Sequence, residues 1–175
     1  MKLHWYLIID QINIQPLLFF GLQIFKACPE HGPAIAIDAH NRSHQSGFTL
    51  GDILQGIFYA YTDDFGETVS APMTLGNPDR LPSHSDVIAL DQRVVIVWKE
   101  FDGEQASLHL KESSDRGESW TDKSMALVSK PKNSHPKLIS HNTDIFLSWT
   151  TENQDHQITW LPISELGCLR PPIRE

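Results

Sequence analysis

What this chain of 175 residues lacks excludes several classes of protein. It has no cluster of bases: 14 Lys and Arg stand against 22 Asp and Glu, for a net charge of −8. Nucleic-acid partners, whose phosphates are held by clustered Lys and Arg, are not expected. Cysteine is nearly missing. Cys28 and Cys168 are far apart and fit no metal-ligand spacing, and free buried thiols are expected in preference to a disulfide. The nine His fall in neither an HxH nor an HExxH pattern, so no metal or cofactor is expected. Long apolar runs are absent too. The two apolar patches near the N-terminus are interrupted by Asp10, Gln11, Asn13 and Gln15. They fall short of the roughly 20 apolar residues of a membrane span and lead to no clear signal cleavage site. Residues 1–25 are therefore an atypical, signal-like segment, and no compartment follows from them. Finally, no window carries a convincing helical period.

What is present is a repeat. Trp98 and Trp149 stand 51 residues apart, as do His84 and His135, and Asp64 and Asp115. Gly66 and Gly117, and Thr68 and Ser119, follow at the same spacing. Three landmarks in one order at one spacing mark repeated structural units. Within a unit the signals are strands: aliphatic runs at 34–38, 86–90 and 136–140, then VVIVWKE and IFLSWTT, then GIFYAYT and ASLHLKESS. Gly, Asn and Asp punctuate them. Four short strands per unit of about 50 residues predict an all-β fold of four-stranded antiparallel propeller blades. We expect three, at 26–78, 79–130 and 131–164, followed by a tail at 165–175. The third unit is cut short, and Gly47 stands where the spacing calls for a Trp.

The segment SSDRGESWTD (113–122) carries a Ser, an Asp, a Gly and a Trp in eight residues. An Asp carboxylate can accept hydrogen bonds from several loop N–H groups, Gly tolerates positive φ, and Trp120 can pack against a sheet. Ser113, Asp115, Gly117 and Ser119 repeat as Thr62, Asp64, Gly66 and Thr68, with Val69 in place of Trp120. A device that recurs at blade spacing is expected to fasten a turn rather than to catalyse.

These two stretches resemble the Asp box, or bacterial neuraminidase repeat, of sialidase-like propellers. The phrases GDILQGIFYAYTDDFGETVSAP, VVIVWKEFDG and FLSWTT are similar to that group, and the resemblance spans residues 26–163. It implies a partial version, about three blades, of a propeller family of retaining exoglycosidases. Such enzymes hold the sialic acid carboxylate with an arginine cluster and use a Tyr nucleophile. None of Arg42, Arg80, Arg93, Arg116, Arg170 or Arg174 sits in a matching motif. Tyr59 and Tyr61 lie on a strand entering an Asp box, where packing is expected. No catalytic residue is carried over.

The polar groups expected on the functional face, at the end opposite the Asp boxes, are Arg80, His84, Lys99, Glu100, Asp102 and His135. For the two His the bland reading is a repeated junction hydrogen bond; for Lys99 and Glu100 it is a solvated hairpin tip. Asn41-Arg42-Ser43 is a glycosylation sequon that matters only in a secretory setting. A glycan-related propeller protein without a complete catalytic site is the leading expectation, with a sialoside-like ligand. An exo-α-sialidase or a piece of one, and a non-enzymatic interaction module, are the alternatives. Exposed blade edges imply self-association.

Overall fold

A computed structural model describes residues 32–50, 55–123, 128–129, 132–152 and 154–161. Cys28, Cys168, Arg170, Arg174, the segment 1–25 and the tail 165–175 lie outside the described residues. Three antiparallel meanders follow one another. The first contains β1 (Ala34–Ile37), β2 (Ser43–Leu50), β3 (Gln55–Thr62) and β4 (Met73–Leu75), in that spatial order. The second contains β5 (Ser83–Leu90), β6 (Arg93–Phe101), β7 (Ala106–Ser113), β8 (Thr121–Lys123) and β9 (Val128–Ser129). Both β8 and β9 pair with β7, so the fourth position of this sheet is a broken strand. The third contains β10 (Lys137–His141), β11 (Asp144–Thr151) and β12 (Gln154–Leu161). Up-and-down sheets of this kind, packed face on face, are propeller blades. Among the described residues no helix is long and apolar enough to cross a membrane.

The middle sheet explains the packing. Successive side chains of a strand point to opposite faces. In β6, Val94, Ile96 and Trp98 turn toward the first sheet and join Ile57, Tyr59, Leu75 and Val87 in one core. Val95 and Val97 turn the other way and meet Ile145, Leu147 and Trp149 of the third sheet, with Leu108 and Leu110 of β7. The unbroken apolar run 94–98 is thus a strand buried on both faces, whereas an exposed face would require alternation.

The repeated Trp residues sit at equivalent places in these two interfaces. The indole N–H of Trp98 donates to Glu100 Oε1 at 3.0 Å, and that of Trp149 to the Ser134 carbonyl at 3.0 Å. Trp98 also stacks on His109, its cross-strand partner, with ring centroids 5.6 Å apart. In the first sheet the corresponding pair is Gly47 and Phe58, both buried. The bulk missing at position 47 therefore stands across the ladder, on Phe58. Replacing Trp98 by Ala removes a buried side chain shared by two sheets and takes one of its donors from the buried Glu100 carboxylate. We expect a loss of about 3–5 kcal/mol, read from the midpoint of a urea unfolding curve.

Candidate functional site

The connections sort to two ends. At one end lie the β3–β4 and β7–β8 loops, and they are built alike. In the first, Thr62 Oγ1 donates to Asp64 Oδ1 at 2.7 Å and accepts from the Gly66 N–H at 2.9 Å. Asp64 accepts in turn from the Thr68 N–H and hydroxyl at 2.9 and 2.5 Å. In the second, Ser113, Asp115, Gly117 and Ser119 make the same four bonds, at 2.7, 2.7, 2.9 and 2.5 Å. Each carboxylate replaces the strand partner that its loop lacks. These bonds hold a strained pair of residues in the left-handed region: Phe65 (φ 56°) with Gly66 (φ 95°), and Arg116 (φ 60°) with Gly117 (φ 87°). Hydrogen bonds from Thr68 draw the Asp64 carboxyl down to about 2. Burial raises the Asp115 carboxyl, but the bonds from Ser119 and Ser113 outweigh it and bring it to about 2 as well.

The second loop is riveted to the first sheet. Trp120 meets Tyr59 edge-on at 4.8 Å and donates its indole N–H to the Gly117 carbonyl at 3.1 Å. A Cβ on Gly117 would collide with Tyr59 Oη. Arg42, in the β1–β2 turn, forks onto Asp63 at 2.8 and 2.7 Å and bonds Glu118 Oε1 at 2.8 Å. Its guanidinium lies 3.8 Å above the Tyr61 ring. Arg116 bonds Asp38 Oδ2 at 2.6 Å. Burial raises the Asp38 carboxyl, but the Arg116 guanidinium and two backbone N–H groups bring it to about 2. His44 is fully buried beside this network, with Nδ1 at 2.7 Å from Tyr59 Oη, and burial holds its pKa below the ordinary value.

At the other end a cleft of about 550 Å³ opens between the first and second sheets. Phe48, Phe101, Leu81 and Pro82 supply its apolar wall, and Gln55, Thr74, His84 and Lys99 its polar groups. Lys99 Nζ donates to Asn133 Oδ1 at 3.0 Å. Among the described residues no carboxylate lies within ion-pair distance of this ammonium, and burial lowers its pKa. His84, itself in the left-handed region (φ 52°), stacks on His135 with centroids 3.6 Å apart and planes 15° from parallel.

Of the six residues expected on the functional face, His84 and Lys99 line the cleft and His135 backs it through the stack. A ring-on-ring contact is the feature that pairs the two His. Arg80 lies exposed in the single 3₁₀ turn Pro78–Arg80 at the rim. Glu100 is not a solvated hairpin tip: it is 3% exposed and receives the Asn77 N–H and the Trp98 indole, both at 3.0 Å. Asp102 caps the β6–β7 turn, accepting from the N–H groups of Glu104 and Gln105 at 3.0 and 2.8 Å. Asn41 of the sequon is exposed in the β1–β2 turn. Arg42, which the sequence offered only as the middle of that sequon, organises the loop end. Its signal was the register: Ser43 pairs with Thr62, which sets Arg42 opposite Asp63.

No protein-family model matches the chain, and no curated protein matches it. Among solved structures it is similar to an alpha-L-arabinofuranosidase (CtGH43) from Clostridium thermocellum ATCC 27405, at 12% identity and a TM-score of 0.47. The match covers 73% of this chain and 47% of that one, so the chain spans about half the length of that protein. A likeness this distant carries no activity across.

Two predictions concern the loop end. Gly117→Ala places a methyl against Tyr59 at an unfavourable φ, and should cost about 2 kcal/mol or more in thermal or urea unfolding. The equivalent change at the exposed Gly103 meets no neighbour and supplies the strain-only control. Asp115 titrates near 2 when folded and near 3.9 when unfolded. Its stabilisation is therefore present above about pH 4 and is lost as the pH falls toward 2. Asp115→Asn should lower the melting temperature at pH 7 and shallow its fall between pH 4 and pH 2.

Proposed function

We propose that this chain is a sialidase-like Asp-box propeller protein that recognises an acidic glycan in the inter-sheet cleft and lacks a complete hydrolytic site. The observation that carries this reading is Lys99, a residue of the cleft lining whose partly desolvated ammonium bonds the neutral Asn133 amide and has no carboxylate within ion-pair distance among the described residues. A buried charge without a counter-ion is costly, and a carboxylate-bearing ligand would relieve that cost. Phe48 and Phe101 beside it offer apolar surface to the C–H face of a sugar ring, and Gln55, Thr74 and His84 offer hydrogen-bonding groups. This is the usual composition of a small-molecule site, an apolar wall with a few convergent polar groups.

The arginines support recognition without turnover. Arg42, Arg93 and Arg116 all lie at the loop end, paired with Asp63, Glu112 and Asp38 respectively. Only Arg80, among the described residues, stands near the cleft. A carboxylate clamp of several guanidinium forks is not assembled there. The two fastened loops, with their shared hydrogen bonds, support the Asp-box reading of the sequence.

A panel of sialylated and matched neutral oligosaccharides, measured by calorimetry at two salt concentrations, tests this reading. We expect sialylated members to bind, to weaken with salt, and to lose at least tenfold in affinity in Lys99→Met. A fluorogenic sialoside should show no turnover. Equal affinity for neutral and sialylated glycans, or binding unchanged in Lys99→Met, would overturn the proposal.

A further inference from the structure

Among the described residues His44 is the buried histidine: its side chain has no exposure, while every other described histidine reaches the surface. It stands on β2, where the first sheet meets the β7–β8 loop of the second. Its two ring nitrogens face different groups. Nδ1 lies 2.7 Å from Tyr59 Oη on β3. Nε2 lies 3.6 Å from Asp38 Oδ2 in the β1–β2 turn. The same Oδ2 receives Arg116 Nε from the β7–β8 loop at 2.6 Å. Around these stand Arg42 of the β1–β2 turn, paired with Asp63 and Glu118, and Tyr61, the ladder partner of His44 on β3.

These neighbours select the neutral imidazole. Asp38 is held well below the usual carboxylate range, and burial keeps the proton on Tyr59. The nitrogen that faces the carboxylate therefore carries the hydrogen, and Nδ1 accepts from the Tyr59 hydroxyl. Neutral His44 thus serves both partners at once. Charged His44 cannot. Both nitrogens would donate, and the Tyr59 hydroxyl, packed against Gly117, would have to turn its hydrogen away. A third cation would also enter beside the Arg42 and Arg116 guanidiniums, out of reach of water. Burial accordingly lowers the His44 pKa, against the pull of Asp38.

The two groups that His44 braces are the first sheet's holds on the loop of the second. Tyr59 meets Trp120 edge-on and abuts Gly117, and Asp38 receives Arg116. We infer that His44 makes this join an acid-released latch: neutral, it holds Tyr59 and Asp38 against the 113–120 loop, and in mild acid the chain takes up a proton at His44 by opening that loop. In the open form the imidazole regains an ordinary pKa of about 6.5, and the closed form holds it lower. The latch is therefore at full strength above that pH and weakens as the pH falls through it. The ratio of open to closed molecules rises about tenfold for each pH unit lost below about 6. Asp38, Asp63 and Glu118 are all lowered and stay carboxylates in this window, and Tyr59 and Tyr61 stay phenols. Asp115 acts only below about pH 4. The inference is independent of what the cleft binds.

Hydrogen exchange on the full chain, corrected for intrinsic rates and compared at about pH 7.5 and about pH 5, reads the opening. We expect the amides of 113–120, among them the bonded N–H groups of Gly117 and Ser119, to lose about tenfold or more in protection. Those of β6 and β11 should change by less than about threefold. His44→Gln keeps a neutral amide in place of the imidazole and should flatten the response of 113–120. Should that variant fail to fold, nuclear magnetic resonance of the imidazole in the unmodified chain supplies the second reading: His44 should stay neutral, with its hydrogen on Nε2, while the loop loses protection. Protection of 113–120 that is unchanged in acid would overturn the inference. So would a loss shared equally by β6 and β11, a loss that persists in His44→Gln, or a His44 that titrates near 6.5 while the loop stays closed.

Discussion

The structure depends on a sheet that has no surface of its own. Five consecutive residues of β6, Val94 to Trp98, are all buried, and they divide between two cores. Each such side chain contributes about 1.5–3 kcal/mol when it leaves water, but only if a neighbour covers its face. The second sheet therefore cannot stand without both the first and the third. The polar atoms at the edges of these cores follow from the same demand. Glu100 is buried because the Trp98 indole and the Asn77 N–H both need an acceptor where no strand supplies one. A Cβ on Gly76 would stand 2.9 Å from both Glu100 Oε1 and Trp98 Nε1, so this junction also requires a glycine.

Sheets that pack only on their neighbours are held apart or together at their ends, and the two ends here are treated differently. At the loop end nearly every charge is matched. Asp64 and Asp115 are saturated by their own loops, and Arg42 and Arg116 stitch the first sheet's turns to the second sheet's loop. A group so fully bonded has no capacity left for a ligand, and its strained left-handed residues persist because those bonds over-determine them. The cleft end is the reverse. Its wall is largely apolar, and it holds Lys99, whose ammonium bonds the neutral Asn133 amide. The loops thus carry stability, while the cleft keeps a charge whose bonded partner is a neutral amide.

Much of this was legible in the sequence because it is local or periodic. The strands follow from short aliphatic runs and their punctuation, and the two fastened loops from a pattern that repeats at 51 residues. Contacts between sheets were harder to read. Glu100 looks like a hairpin tip until the Pro78–Arg80 turn is folded over it. Arg42 gains its role only when Asp63 and Glu118, from two different sheets, converge on it. The stack of His84 on His135 needs β5 and the segment leading into β10 to approach, which spacing alone announces as repetition but not as contact. Phe58 compensating for Gly47 is visible only once the β2–β3 register is known.

The contrast between β6 and β11 shows how the burial of a sheet face is written in sequence. Both carry the repeated Trp, and both turn Val or Ile, Ile or Leu, and Trp toward the preceding sheet. The intervening residues differ: Val95 and Val97 in β6, Phe146 and Ser148 in β11. Ser148 is a polar residue on a sheet face that meets water. Phe146 is not, and it aligns with Ile139 and Trp160 rather than with polar partners. The outer face of the third sheet is mixed: Lys137, His141, Asp144, Ser148, Thr150 and His156 share it with Ile139, Phe146, Ile158 and Trp160, and the Trp160 indole N–H donates to Asp144 across it.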